Sequence, residues 1–268
     1  MKTYKVDAVV LKSRDMREAD KILTLYSVQR GKQRVVAHGA AKPNSRKRGA
    51  VQPFCYSSFM LHRGRELDSI SQADLLDAFP DLRGDLDRLT AAAYVADLLD
   101  GFTGEGEANP YLFGLLLGTL HLVSGGHREM ALRAFEAKLM ELAGFKPELE
   151  HCSACGASLV ETKLWFSSRQ GGLLCRECAG MENKTQIFNR GTLESLKILY
   201  RWELSKLHQL KLPETLRKEL KTLLGAYIEY YLEKRLKSAD FLEQLYKNNP
   251  GGGTNNTKDL KGGPSGDQ

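Results

Sequence analysis

Four of the five cysteines form two Cys-x2-Cys pairs, Cys152-Ser-Ala-Cys155 and Cys175-Arg-Glu-Cys178, with 19 residues between them. Each short knuckle can grip one metal ion through two thiolates, and four thiolates complete the tetrahedral shell of Zn(II). A filled shell leaves no position for water, so the predicted site is structural. Between the pairs lies Lys163–Ser168, strand-like with Trp165 and Phe166, then the turn Arg169-Gln-Gly-Gly172 and Leu173-Leu174. That is the layout of a zinc ribbon. Two redox-active pairs, or four buried thiols, are the competing readings. His151 flanks the first knuckle, but a fifth ligand is unnecessary. Cys55, in Gln-Pro-Phe-Cys-Tyr, has no neighbouring partner and reads as a small buried hydrophobe.

The second set that could do chemistry is cationic. Arg14, Arg17 and Lys21 fall in the first inter-strand loop, and Lys32 and Arg34 on or beside a strand. Lys42, Arg46, Lys47 and Arg48 follow in the next loop. Such groups neutralise phosphates and release counterions, which gives affinity for nucleic acid with little sequence preference. Tyr26, Phe54, Tyr56 and Phe59 are candidate stacking platforms, with a place in the core as the competing role for each. A solvated loop is the competing reading for Ser-Arg-Lys-Arg. No Gly-x4-Gly-Lys-Ser/Thr loop or His-Glu-x-x-His motif is present, and Gly104-Glu-Gly106 is too short for a dinucleotide fingerprint. The six histidines show no nucleophile pairing. These features predict that the chain is not an enzyme.

The elements that position these residues follow from hydrophobic period. Val6, Ala8 and Val10 occupy alternate positions, and Ile22, Thr24 and Tyr26 alternate with Leu23 and Leu25. A turn at Gln29-Arg30-Gly31 leads to a strand from Gln33 to His38. A loop of turn formers and cations spans Gly39 to Gly49. Further strands around Phe54–Arg63 and Glu66–Ser71 meet in a tight hairpin at Gly64. Five short strands suit a small OB-type barrel over 1–80; an SH3-like barrel has similar counts, and periodicity does not separate them.

From residue 81 the period becomes helical, with Leu86, Leu89, Ala93, Ala96 and Leu99 on one stripe. Asn109-Pro110 opens a second helix reaching Leu122. Leu132, Phe135, Leu139 and Leu142 form a third stripe, stopped at Gly144 with Pro147 beyond. Thr192 is a candidate cap for a helix carrying Leu193, Leu196, Tyr200, Leu204 and Leu207, and Pro213 starts another with Leu216, Leu220, Leu223, Tyr227 and Tyr231. The predicted organisation is α+β multidomain: the barrel, a helical bundle over 81–150 and 181–247, a ribbon insert over 151–180, and a disordered Gly-rich tail over 248–268.

The charge balance sharpens this picture. The net charge is +6 overall, but +7 over 1–80, −6 over 81–150 and +5 over 151–268. A basic first block suggests an anionic partner there, while the acidic middle either shields those cations or faces water. No run of ~18 uncharged apolar residues indicates a membrane span, and the N-terminus lacks a signal peptide's apolar stretch, so a cytoplasmic location is expected.

Taken in order, certain residues resemble the RecO family of bacterial recombination mediators. They begin with Val10-Leu11, Arg17-Glu-Ala-Asp-Lys-Ile22, Gly31-Lys32, Gly39-Ala40 with Lys42 and Ser45-Arg46, and Gln52-Pro-Phe54. They continue with Tyr94, Asn109-Pro110, Phe135-Glu136-Lys138-Leu139, Gly144-Phe-Lys-Pro147, the cysteine quartet and Ser238-Ala-Asp-Phe-Leu242. The likeness spans roughly residues 1–245. It implies an N-terminal OB fold, a helical domain and a zinc-ribbon-like insert. It also implies binding of single- and double-stranded DNA, strand annealing, and work with RecR to displace single-strand-binding protein so that RecA loads at gaps in nucleoid DNA. A protein-binding adaptor with an incidental basic barrel is the rival reading, and a nucleic-acid hydrolase a more distant one.

Overall fold

β1 (Thr3–Asp15), β2 (Lys21–Ser27), β3 (Gly31–Ala37), β4 (Tyr56–His62) and β5 (Asp68–Asp77) close into a ring in the order β1-β2-β3-β5-β4. The computed structural model describes residues 3–16, 18–159 and 163–248; Arg17 and, apart from Asn248, the predicted tail lie outside the described residues. All strand pairs are antiparallel except β3 with β5, which run parallel at Val35↔Asp68 and Val36↔Ser69. One parallel contact closing an otherwise antiparallel five-strand ring is the OB arrangement, which strand counting alone left open. The last strand runs from Asp68 to Asp77, longer than the predicted Glu66–Ser71.

Strand alternation here serves two cores at once. Val6, Ala8, Val10, Leu23, Leu25, Val35, Phe59 and Leu61 fill the barrel, while Val9, Leu11 and Tyr26 project the other way into the helical core. A bulge between Val10 and Lys12 in the β1–β2 pairing bends β1 where it meets the helices.

The helices are α1 (Pro80–Arg83), α2 (Leu86–Phe102), α3 (Pro110–Ser124) and α4 (Arg128–Leu142), then α5 (Arg176–Met181), α6 (Arg190–Arg201), α7 (Glu214–Leu232) and α8 (Lys237–Asn248). Asp85 caps α2 by accepting from the backbone N–H groups of Asp87 and Arg88, and Asn109 caps α3 ahead of Pro110. The expected cap of α6 is corrected: Asn189, not Thr192, is the N-cap residue, its Oδ1 accepting from the Thr192 N–H. That helix also stops at Arg201, so Leu204 and Leu207 lie on a separate 3-10 turn, Leu204–Gln209. Within the bundle Glu136 is fully buried, bonded by Arg133 at 2.8 Å and by the Tyr94 hydroxyl at 2.9 Å. Burial pushes its carboxyl above the usual range against the pull of Arg133. Among the described residues, no helix is long and apolar enough to cross a membrane.

The insert is a three-stranded antiparallel sheet, β6 (Lys163–Ser167), β7 (Gly172–Leu174) and β8 (Gln186–Asn189), in the order β7-β6-β8. Its inner face, Leu164, Phe166, Leu173 and Phe188, belongs to the same core as the helices. The ribbon is therefore docked on the bundle rather than tethered to it.

Gly31, at the start of β3, has φ +61°, and a Cβ there would stand 1.9 Å from the Glu107 carbonyl oxygen. Both the backbone conformation and the close approach require glycine. Gly31→Ala is expected to destabilise the protein by about 2 kcal/mol or more, read as a lower midpoint in urea.

Candidate nucleic-acid interface and metal centre

Two loops flanked by or carrying cations meet at one end of the barrel; the longer is basic, whereas the β1–β2 loop also holds Glu18 and Asp20. The β1–β2 loop and the long β3–β4 loop are stitched together by Asp20, which accepts from the Gly39 N–H at 2.8 Å and pairs with His38 Nδ1 at 2.8 Å. The Ala41 N–H donates to the Ala19 carbonyl at 3.0 Å, adding a third link. Arg14 and Lys21 sit on the strand ends that lead into this rim, and Lys42, Arg46, Lys47 and Arg48 lie in the longer loop. Arg14, Lys42, Arg46 and Arg48 are exposed and make no ion pair among the described residues. Lys21 meets Asp15 at 2.6 Å, a pair whose carboxylate is 77% exposed and so strongly screened. Lys47 turns inward, donating to the Ile70 carbonyl at 3.0 Å, and burial lowers its pKa.

Lys32 and Arg34 stand apart from the rim. The Lys32 ammonium donates to the Asp100 carbonyl at 2.6 Å and to its carboxylate at 3.1 Å. Arg34 pairs with Glu105 at 2.6 Å. The segment joining α2 to α3 runs beside β3 as a short parallel bridge, Lys32↔Glu105, and the Gly106 N–H donates to the Lys32 carbonyl at 2.9 Å. Because β5 pairs with β3 only at Val35 and Val36, this acidic segment occupies the remaining edge of β3. Lys12 of β1 joins the same cluster, 2.9 Å from Asp97 and 2.8 Å from Asp100. Burial opposes ionisation of Asp100, but bonds from Lys12 and Lys32 outweigh it and hold its pKa below the usual carboxylate value. These contacts are therefore complete at neutral pH and are lost only on acidification below that ordinary range. At Lys12 and Lys32 the acidic middle of the chain shields the barrel's cations, while the Arg34–Glu105 pair, more than half exposed on both sides, shields only weakly.

None of the four candidate stacking aromatics is free on the surface. Tyr26, Phe54 and Phe59 are buried, and Tyr56 packs edge-on against Phe113 with ring centroids 5.7 Å apart. No sequence motif marks the carboxylates Asp97, Asp100 and Glu105. Their only sequence signal is the opposite net charge of adjacent blocks.

The cysteine quartet converges. The Sγ atoms of Cys152, Cys155, Cys175 and Cys178 all lie within 4.8 Å of one another, and none is in a disulfide. Cys155 and Cys175 are 3.8 Å apart, the separation of about 3.8 Å that two thiolates adopt on one tetrahedral ion with bonds of about 2.3 Å. Backbone N–H groups of Cys175, Cys155 and Ala154 point at the Cys152 sulfur. They overcome its burial and bring its pKa down to about 6. Crowding by the Cys175 and Cys155 thiols pushes Cys178 up to about 12. Three donors aimed at one thiolate, with the other sulfurs crowded around it, suit a bound cation. His151 is not in the cluster. Cys55 is buried, as expected of a small hydrophobe, although Arg83 donates to its sulfur at 3.1 Å.

Family models place these features among known proteins. Residues 1–79 match the model described as Recombination protein O N terminal, and residues 83–240 match Recombination protein O C terminal. The chain is similar to the DNA repair protein RecO of Desulforamulus reducens, 65% identical over 95% of this chain and all of that one. It is also similar to the RecO proteins of Pelotomaculum thermopropionicum, 48% identical over 91% of this chain and 95% of that one, and of Roseiflexus, 36% identical over 91% and 86%.

Titration of the metal-stripped chain with Zn(II) is expected to reach one ion per chain, with release of thiol protons. Cys152→Ser is expected to lower the melting temperature by roughly 5–10 °C while far-UV dichroism of the barrel persists. A stripped chain that melts like the loaded one would show the cluster to be inert.

Proposed function

The chain belongs to the RecO family of DNA repair and recombination proteins, a family of mediators rather than enzymes. On that premise we propose that the barrel rim holds the phosphate backbone of DNA. Arg14, Lys42, Arg46 and Arg48 provide the contacts, with Lys21 and Lys47 beside them and Arg17 of the same loop completing the set. The observation that carries this reading is the stitching of the basic β3–β4 loop to the β1–β2 turn through Asp20, which supports bringing Arg14 and Lys21 beside Lys42, Arg46 and Arg48. Neutralising phosphates on two strands lowers their mutual repulsion, and a rim without free aromatics leaves the bases available to pair. Strand annealing follows without any bond being made or broken.

Lys32 and Arg34 take a second role. They are held in reserve behind Asp100 and Glu105, and they reach phosphate only where those carboxylates give way. Cys152, Cys155, Cys175 and Cys178 hold Zn(II), which when bound supplies a fixed cross-link between the two knuckles. The wider role implied by membership is binding of single- and double-stranded DNA in the cytoplasm, at the nucleoid. There, with RecR, the chain displaces single-strand-binding protein from gaps so that RecA can load. The helical domain is the natural platform for those proteins, because the rim is reserved for phosphate.

Changing Lys42, Arg46 and Arg48 together to Ala is expected to weaken binding of a labelled single strand and flatten its log-log salt dependence by about 2, at ~0.7 per lost contact. Unchanged affinity and slope would remove the loop from the interface. Glu105→Gln, which frees Arg34, is expected to tighten binding about twofold to fivefold at low salt. An annealing assay without ATP or magnesium, scored beside a cleavage assay with magnesium, separates a mediator from a hydrolase.

A further inference from the structure

The outer face of the ribbon carries one tryptophan that the helical core does not use. In the pairing register Trp165 lies opposite Leu174 on one side and Ile187 on the other, so the three share one face of the sheet. Leu164 and Phe166, which alternate with Trp165, point into the core, so Trp165 faces away from it. Leu174 is buried at one side of the ring, Trp165 itself is half-buried, and Ile187 on the other side is 62% exposed, so the ring is open toward Ile187. Lys163, two residues before Trp165 on β6, shares its face.

Lys163, Arg176 and Lys184 are exposed and make no ion pair among the described residues. Residues 163–190 carry five Lys or Arg against two Glu, so this surface attracts anions. A tryptophan on a sheet face with a free lysine two residues along its strand, and two further free cations in the segments that follow β7 and precede β8, combines the two features by which proteins hold unpaired nucleic acid. The barrel's own candidate aromatics are buried or packed against other rings, so the barrel offers none of them as a stacking platform.

We propose that the outer face of the ribbon is a second nucleic-acid contact, at which Trp165 stacks on an unpaired base while Lys163, Arg176 and Lys184 face the flanking phosphates. This rests on the reading of the chain as a DNA-binding protein and adds a preference for single strands, since a duplex keeps its bases within its own stack. The four-thiolate cluster fixes the ribbon, and the ribbon presents the ring.

The test uses the full, zinc-loaded chain. Trp165 and Trp202 are the only tryptophans, so Trp202→Phe makes emission report on Trp165 alone. Saturation with oligo(dT) is expected to quench that emission, and mixed-sequence duplex to leave it nearly unchanged. Trp165→Ala is expected to weaken oligo(dT) binding about tenfold with little change for duplex, and Trp165→Phe to retain most of the affinity. Lys163→Gln with Lys184→Gln should flatten the salt dependence by about 1.4, at ~0.7 per contact. Zinc content and melting temperature check folding. If Trp165→Ala is unstable, the quenching and the lysine pair still decide the matter.

Tight oligo(dT) binding with no quenching and no effect of Trp165→Ala or the lysine pair would overturn the ribbon contact and leave the barrel rim standing. No binding of oligo(dT) by the unaltered chain would overturn both. Emission that changes with protein concentration alone, together with a dimer on sedimentation, would make this face a protein interface and overturn the proposal.

Discussion

Asp100 is the point on which the arrangement of the two halves turns. One carboxylate near the end of α2 receives Lys12 from β1 and Lys32 from β3, and the Lys32 ammonium also reaches the Asp100 backbone carbonyl. Asp97, one helical turn earlier, takes Lys12 as well and accepts from the Ser238 hydroxyl of α8 at 2.7 Å. Barrel, first long helix and last helix are thereby tied at one place. Each of these pairs is partly solvated and worth no more than ~1 kcal/mol. Their main effect is directional. The bulk of the stabilisation comes from the apolar seam, where Val9, Leu11 and Tyr26 leave the barrel and enter the helical core. An apolar seam tolerates small rotations, whereas lysines reaching two carboxylates do not.

This docking divides the barrel's cations by function. Those near the helical domain are consumed in orienting it, and the acidic segment after α2 also covers an edge of β3 that would otherwise offer unpaired backbone groups. Arg14, Lys42, Arg46 and Arg48 at the rim remain exposed, with no carboxylate of the helical region paired to them among the described residues, and Asp20 ties the loops together. Exposed cations survive at the rim and are paired where they would compete with domain packing. The same logic governs the aromatics. Rings that strand alternation turns inward or toward the helices become core, whereas Trp165 of the ribbon is turned away from it.

Much of this was legible in the chain itself. Two Cys-x2-Cys knuckles at ribbon spacing predict a converging quartet because each knuckle is a local structure whose geometry depends on few residues. The change from alternating to helical period near residue 81 predicts the switch from barrel to bundle for the same reason. Asn109-Pro110 marks a helix start from two adjacent side chains. The cap of α6 was misplaced by three residues because Thr192 and Asn189 are both good capping types, and the choice between them depends on Glu219, which reaches both from α7. The break after Arg201 was invisible for a similar reason: the stripe of leucines continues through it.

Local chemistry therefore determined the elements, the quartet and the family likeness. Tertiary structure alone decided which cations are free. Lys32 and Arg34 look the same in sequence as Arg46 and Arg48, yet their partners lie 68 and 71 residues away along the chain. Ion pairing depends on distances of a few ångströms, and no pattern of neighbouring residues carries distances across a fold. The choice between OB and SH3-like barrels was left to the fold for the same reason, since it rests on one parallel contact between β3 and β5 that closes only when the chain has turned back on itself.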